Sequence, residues 1–99
     1  MRFEFDDSEA RVSLIGDLTF TDHVTFRDIL ARLIQANRKT VTIDLSKLDF
    51  VDSAGLGMLL IAKEEVAKAN RSLTLSHPKK QVERMFAVTK FDSLFTIQR

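Results

Sequence analysis

Ninety-nine residues with 44% apolar and 29% charged side chains are enough for one ordinary domain with a single core. Fifteen basic and fourteen acidic residues give a net charge of +1, which argues against a fold-wide field for nucleic acid or an anionic membrane. The absence of cysteine excludes disulfides, cysteine-ligated zinc and cysteine nucleophiles. No signal-like segment opens the sequence and no apolar run could cross a bilayer, so we expect a cytoplasmic protein.

Two short strands open the chain. Residues 2–6 alternate polar and apolar side chains, and residues 11–15 form a second strand-like run. The polar residues 7–10 between them are typical of a turn, and Gly16-Asp17 is expected to end the second strand. The pattern predicts an opening β-hairpin.

The periodicity then changes to that of a helix and back again. Apolar residues after Asp22 recur at helical spacing, with Thr21 or Asp22 as a candidate N-cap and Asn37 as a stop. The members of this stripe are Phe26, Ile29, Leu30, Leu33 and Ile34. Residues 40–45 are β-branched and alternate, which predicts a strand, and the apolar positions up to Val51 lead towards a loop.

The second half of the chain continues the alternation of helix and strand. A helix is predicted from about Ser53 to Ala69, with Leu56, Leu59, Leu60, Val66 and Ala67 as its buried side. Residues 72–76 form a short strand, and Pro78 suits the first turn of a third helix. The inner side of that helix is expected to carry Val82, Met85, Phe86 and Thr89. Residues 94–97 predict a last strand.

The order of these elements indicates an α/β fold. Strands that alternate with helices imply parallel pairing through right-handed crossovers, and the opening hairpin contributes one antiparallel strand. We therefore expect a single domain over residues 1–99. Its sheet is mixed and mostly parallel, with an N-terminal antiparallel hairpin strand, and amphipathic helices cover it.

The segment around Ser53 carries the functional signal. Asp52-Ser53 stands at the N-terminus of the second predicted helix, where unpaired amides and the positive end of the helix dipole favour an anion. A phosphate on Ser53 would add about −1.5 to −2 charges and could switch binding without unfolding the chain. The alternative is that Asp-Ser serves only as a helix cap.

Two glycines follow within the first turns of this helix. Glycine inside a helix costs about 1 kcal/mol relative to alanine, so Gly55 and Gly57 need a reason. Close approach by a partner backbone is one explanation, and close packing against the protein's own strands is the other. Met58 and Ile61 are either part of a contact surface or part of a broadly buried helix.

These residues also carry a likeness to a known family. The strand ending Ile43-Asp44-Leu45 and the segment Phe50-Val51-Asp52-Ser53-Ala54-Gly55-Leu56-Gly57 resemble the STAS domain of bacterial anti-sigma factor antagonists. Gly16-Asp17-Leu18, Val82-Glu83-Arg84-Met85-Phe86 and Phe91-Asp92-Ser93-Leu94-Phe95 agree in the same order. The resemblance covers nearly the whole chain, and it implies the STAS fold.

The resemblance also implies a mechanism. In this family the serine after the aspartate is phosphorylated by a partner serine kinase of the histidine-kinase-like ATPase type, and a PPM-type phosphatase removes the phosphate. The unphosphorylated form binds the kinase, which is often itself the anti-sigma factor. Carried over, the acceptor is Ser53, with no cofactor, metal, nucleic acid or membrane implied. The implied partner-binding residues are Asp17, Asp44, Asp52, Ala54, Gly55, Leu56, Gly57 and Met58.

The sequence departs from the family pattern in three places. Ala54 stands where many relatives have a second hydroxyl, so Ser53 is the only acceptor in the motif. Lys90 stands where relatives commonly have glycine, and a rearranged end of the third helix is therefore expected. The chain ends at Arg99, whereas many relatives carry a further C-terminal helix, which leaves the identity of the partner open.

Two alternatives to a phosphorylation switch remain. An enzyme would need a general base beside the serine, and only His23 and His77 are available, each expected in an exposed turn. No phosphate-binding loop or dinucleotide fingerprint is present, so we expect no enzyme. The other alternative is a constitutive STAS scaffold or signalling-complex subunit that regulates an output other than a sigma factor.

Overall fold

The computed structural model describes all residues from Met1 to Arg99. Eight strands and helices follow in the predicted order, namely β1 (Arg2–Asp6), β2 (Arg11–Leu18), α1 (His23–Gln35), β3 (Thr40–Val51), α2 (Ser53–Lys68), β4 (Ser72–Ser76), α3 (Lys80–Thr89) and β5 (Thr96–Gln98). Single 3₁₀ turns cover Asp7–Glu9, Phe20–Asp22 and Phe91–Ser93. None of the helices combines the length and apolar character that a membrane-spanning segment needs.

The five strands form one sheet in chain order. β1 pairs with β2 antiparallel, and every other neighbouring pair is parallel. A tight turn can join only antiparallel neighbours, whereas each parallel pair needs a helical crossover, so the topology follows from the order of elements. The predicted mixed α/β sheet is confirmed.

The two faces of the sheet differ in polarity. Right-handed crossovers between successive neighbours place all three helices on one face, where the strands contribute Val12, Leu14, Val41, Ile43, Leu45, Leu73 and Leu75 to one buried core. The opposite face is polar, and one row across all five strands reads Glu4, Ser13, Asp44, Ser76 and Gln98. The helices therefore cover one face only.

Strands β2 and β3 run further than their sequences suggest. Gly16 lies within β2 rather than at its end, and β2 pairs with β3 as far as Leu18 opposite Val51. The register shifts twice along this pair, once on each side of Gly16, whose φ is +92°. These irregularities let β3 extend to Val51, so the expected loop before the second helix is a strand.

Several helix ends differ from the predictions. Of the two candidate caps, Asp22 occupies the N-cap position of α1 and Thr21 does not. The side chain of Asp22 forms a capping box with Thr19 in the preceding 3₁₀ turn. Helix α3 begins at Lys80, which places Pro78 before the helix instead of in its first turn. Lys90 adopts the left-handed conformation, with φ of 61°, so the expected rearrangement at this end is wrong.

Candidate phosphoacceptor site

Asp52, not Ser53, caps helix α2. Its backbone is extended, and its Oδ1 accepts a hydrogen bond of 2.7 Å from the amide of Gly55. Ser53 is the first helical residue, and its side chain is exposed. Since the aspartate does the capping, the serine hydroxyl is not required for the start of the helix.

The same aspartate ties the start of α2 to the segment that follows β2. The second carboxylate oxygen, Oδ2, accepts a hydrogen bond of 3.3 Å from the amide of Phe20. The amide of Asp52 in turn donates to the carbonyl oxygen of Leu18 at 3.3 Å. Asp52 therefore holds Ser53 at the edge of the sheet where β2 and β3 end.

Two exposed aromatic side chains flank this helix start. Phe20 is 67% exposed, and its backbone lies beside Asp52. Phe50 is 40% exposed and pairs in register with Asp17, which is itself exposed. The predicted partner-binding residues include neither aromatic. The only signal for Phe20 in the sequence is that a large apolar residue stands in a polar stretch before a helix.

Gly55 is explained by packing within the chain. A Cβ atom at this position would lie 2.4 Å from the carbonyl oxygen of Leu18 and 2.6 Å from Cγ2 of Val51. The helix thus approaches the strand backbone too closely for any side chain. The contact that excludes a side chain here belongs to the protein itself and not to a partner.

Gly57 is in the opposite situation. A Cβ atom there would have no heavy atom within 4 Å. Residues four apart lie on one helical face, so Ser53, Gly57 and Ile61 form one stripe along α2, and Ile61 is 48% exposed. The stripe presents a hydroxyl, an empty position and an apolar side chain in successive turns, with exposed Ala54 beside it.

Two of the predicted contact residues lie in the core. Leu56 is 3% exposed and Met58 is 4% exposed, so neither side chain can form much of an outer contact surface. Met58 instead lines a groove of about 430 Å³ between α1 and α2, together with Ile61. Met58 therefore belongs to the buried side of α2, whereas Ile61 is exposed, so the helix is buried on one side only.

Asp44 is far from Ser53. Six strand residues lie between it and Val51, and this stretch of β3 pairs with Ser13 to Leu18 of β2, five steps or about 17 Å at the rise of a β-strand. It lies within the sheet, 6% exposed, and accepts hydrogen bonds from the hydroxyls of Ser13, Ser46 and Ser76. The expectation that Asp44 shares a surface with the phosphoacceptor is wrong, because the serine lies beyond the end of a strand longer than expected.

The environment of Asp44 favours its charged form. Burial alone would raise the pKa of this carboxyl, but the hydrogen bonds from Ser46, Ser13 and Ser76 outweigh burial and hold the pKa below its usual value. Arg11 adds a positive charge 3.6 Å away. The cluster thus serves to join β2, β3 and β4 on the polar face of the sheet.

The two histidines lie on separate elements. His23 is the first residue of α1, and His77 follows β4, where its backbone amide donates to the carbonyl of Gln98 at 2.7 Å. Both are exposed. Side chains that could bind a metal do not gather in groups of three or more anywhere in the chain.

Comparison with known proteins places the chain in a family. A family model described as "Mlab, STAS domain" matches residues 1–97. A STAS-domain containing protein of Pseudomonas aeruginosa is 30% identical over 92 residues, which cover 93% of this chain and 90% of that protein. BtrV of Bordetella bronchiseptica, assigned as an anti-sigma factor antagonist, is 29% identical over 68 residues, or 69% of this chain and 59% of BtrV.

Solved structures share the fold. The anti-sigma factor antagonist SpoIIAA in its unphosphorylated form superposes with a TM-score of 0.71 at 22% identity, over 99% of this chain and 86% of that one. An anti-sigma factor antagonist from Mycobacterium paratuberculosis gives 0.79 at 21% identity, over 98% and 82%. The proteins in these comparisons whose role is stated are anti-sigma factor antagonists. Because the family model matches residues 1–97 of 99, this chain belongs to the STAS domain family, and it resembles the anti-sigma factor antagonists within that family.

Proposed function

We propose that this protein is a phosphorylation-controlled partner-switching regulator. With a free hydroxyl on Ser53 it binds an anti-sigma factor that is also a serine kinase of the histidine-kinase-like ATPase type. In the kinase reaction the serine oxygen bonds to the γ-phosphorus of ATP, the bond to ADP breaks, and a base of the kinase takes the hydroxyl proton. The phosphorylated form is released from the partner. A PPM-type phosphatase then hydrolyses the phosphoserine, which restores the free hydroxyl and releases inorganic phosphate.

The observation that carries this proposal is the division of roles between Asp52 and Ser53. The aspartate caps the helix through Gly55, which leaves the exposed serine oxygen free to be modified. A phosphate there would stand next to the Asp52 carboxylate, and the exposed Asp17 pairs with Phe50, three residues before the serine. About two added negative charges would repel an acidic partner surface and resist desolvation, while the core of the domain is untouched.

The surroundings of Ser53 suit a protein partner. Phe20 and Phe50 expose apolar area near the helix start, Ile61 does so two turns further along α2, and aromatic side chains often anchor interfaces. Gly57 leaves an unfilled position one turn behind the serine, into which a partner side chain or backbone can fit. A docked partner would therefore cover the hydroxyl and bury the apolar side chains together.

Affinity capture from cells of the source organism tests the proposal. Wild-type, Ser53→Ala and Ser53→Glu baits are compared with Ser8→Glu, which adds the same charge in the hairpin turn at the other end of the sheet. We expect the wild-type, Ser53→Ala and Ser8→Glu baits to retain one kinase-like protein, identified by mass spectrometry. We expect Ser53→Glu to bind the purified partner at least about tenfold more weakly.

The same capture can contradict the proposal. Equal affinity of the purified partner for Ser53→Glu and wild type would show that charge at this position does not control binding. Incubation with the purified partner and ATP should add one phosphate to wild type and none to Ser53→Ala, as measured by intact mass. A phosphate on Ser53→Ala, or none on wild type, would contradict the proposal.

A second function has one observation in its favour. The matching family model takes its description from Mlab rather than from an anti-sigma factor antagonist. The chain would then be a constitutive STAS scaffold or signalling-complex subunit that regulates an output other than a sigma factor. In that case protein purified from its own cells would carry no phosphate on Ser53, and the alanine and glutamate variants would bind the same partner equally.

A further inference from the structure

The last part of β3 has no strand on one side. β4 ends at Ser76, opposite Asp44, whereas β3 continues to Val51. On its other side Val51 is paired with Leu18 of β2. The amide and carbonyl of Val51 that face the missing strand therefore need other partners, because buried backbone groups are rarely left unpaired.

The side chain of Gln81 supplies both partners. The amide of Val51 donates to Gln81 Oε1 at 3.0 Å, and Gln81 Nε2 donates to the carbonyl oxygen of Val51 at 3.0 Å. A carboxamide has the same donor and acceptor as a peptide group, so Gln81 completes one step of the ladder that a strand would have made. The glutamine lies in the first turn of α3 and is half-buried.

We propose that Gln81 is a positioning residue for the phosphoacceptor, an inference that rests on the proposed role of Ser53. The glutamine fixes the backbone two residues before the serine, and Asp52 fixes the backbone between them. Without Gln81 the end of β3 is held on the β2 side alone. Helix α3 thereby controls how Ser53 is presented to a kinase or partner.

The connection that delivers Gln81 is held in a strained form. His77 and Lys80 have φ values of 55° and 47°, which residues other than glycine seldom adopt. Such conformations persist where contacts on both sides impose them. Here the amide of His77 bonds to Gln98 on one side, and Gln81 bonds to Val51 on the other.

Amide hydrogen exchange tests the contact without any partner. The variants are Gln81→Ala, and Gln81→Glu, which keeps the side-chain size but loses the donor to the Val51 carbonyl. Gln35→Ala, an exposed glutamine at the end of α1, is the matched control. We expect exchange at the Val51 amide about tenfold faster in Gln81→Ala and unchanged in the control. Wild-type exchange at Val51 in Gln81→Ala overturns the proposal.

A spin label reads the effect at the phosphoacceptor itself. The chain has no cysteine, so Ser53→Cys provides a single attachment point for a nitroxide. We expect both Gln81 variants to increase label mobility, with circular dichroism showing the fold retained, and Gln35→Ala to leave the spectrum unchanged. Wild-type mobility in Gln81→Glu alone would show that the bond to the Val51 carbonyl is not needed, because glutamate keeps the acceptor for the Val51 amide. Wild-type mobility in both variants would refute a positioning role for Gln81.

The binding measurement separates this inference from the proposed function. We expect Gln81→Ala to bind the purified partner several-fold more weakly than Gln35→Ala does. Equal binding, with Ser53→Glu still defective, overturns the positioning role alone. If Ser53→Glu also binds normally, the switch itself is wrong, while hydrogen exchange and label mobility still decide whether Gln81 orders this segment.

Discussion

The same substitution should have opposite effects at two glycines of helix α2. An alanine at Gly55 would place its Cβ 2.4 Å from the backbone carbonyl oxygen of Leu18, which the sheet holds in place. Forcing atoms into a filled space costs about 1–3 kcal/mol, and a clash with backbone belongs at the upper end of that range. After a gain in helix propensity of about 1 kcal/mol, we expect Gly55→Ala to be destabilised by about 2 kcal/mol.

Alanine at Gly57 meets no such obstacle. No heavy atom lies within 4 Å of its Cβ position, so only the gain in helix propensity remains. We expect Gly57→Ala to be stabilised by about 0.5–1 kcal/mol. Two positions in one helix thus receive the same methyl group with opposite results, which makes each variant the control for the other.

Thermal and urea unfolding followed by circular dichroism measure both effects. For a domain of this size about 1 kcal/mol shifts the Tm by about 4–8 °C, so we expect a decrease of about 10 °C for Gly55→Ala. Gly57→Ala should raise the Tm by about 3–6 °C, with an unchanged urea slope. If Gly55→Ala were as stable as wild type, close packing of the helix would not require glycine there. If Gly57→Ala were destabilised, the Cβ position at Gly57 would not be open space.

Four further variants test the cap, the polar cluster and the end of α3. Asp52→Ala removes the acceptor for the Gly55 amide and should lower the free energy of unfolding in urea by about 1 kcal/mol. Ser53→Ala should lower the same free energy by less than about 0.5 kcal/mol. Asp44→Ala should lose about 2 kcal/mol at pH 7. Because folding lowers the pKa of Asp44, this difference is fully present above about pH 4 and shrinks as the pH falls through the lower folded value, so a constant difference would contradict it. Lys90→Gly should raise the free energy of unfolding by about 0.5–1 kcal/mol, since glycine adopts the φ of 61° without strain.

The order of elements and the exposed serine could be predicted from local patterns alone. Helical and strand periodicities mark where each element lies, and Asp-Ser before an apolar helix marks the helix start. These signals depend on neighbours within one or two turns, which the sequence contains in full. The family pattern around Ser53 added the proposed role of that residue, and this pattern rests on the same contiguous segment.

Other features depended on contacts between distant parts of the chain. Nothing in the local sequence distinguishes Gly55 from Gly57, because the difference is whether Leu18 and Val51 lie against the helix. The position of Asp44 likewise follows from the length of β3, which the irregular pairing with β2 extends past the expected loop.

The sequence by itself determined the α/β order, the helix that begins at Asp52-Ser53 and the lack of any side chain at Gly57. Only the tertiary structure decided that Gln81 completes the free edge of β3 and that Phe20 stands beside Asp52. The physical reason is that hydrogen bonds and packing across the sheet join residues about 30 positions apart, and no local period records them.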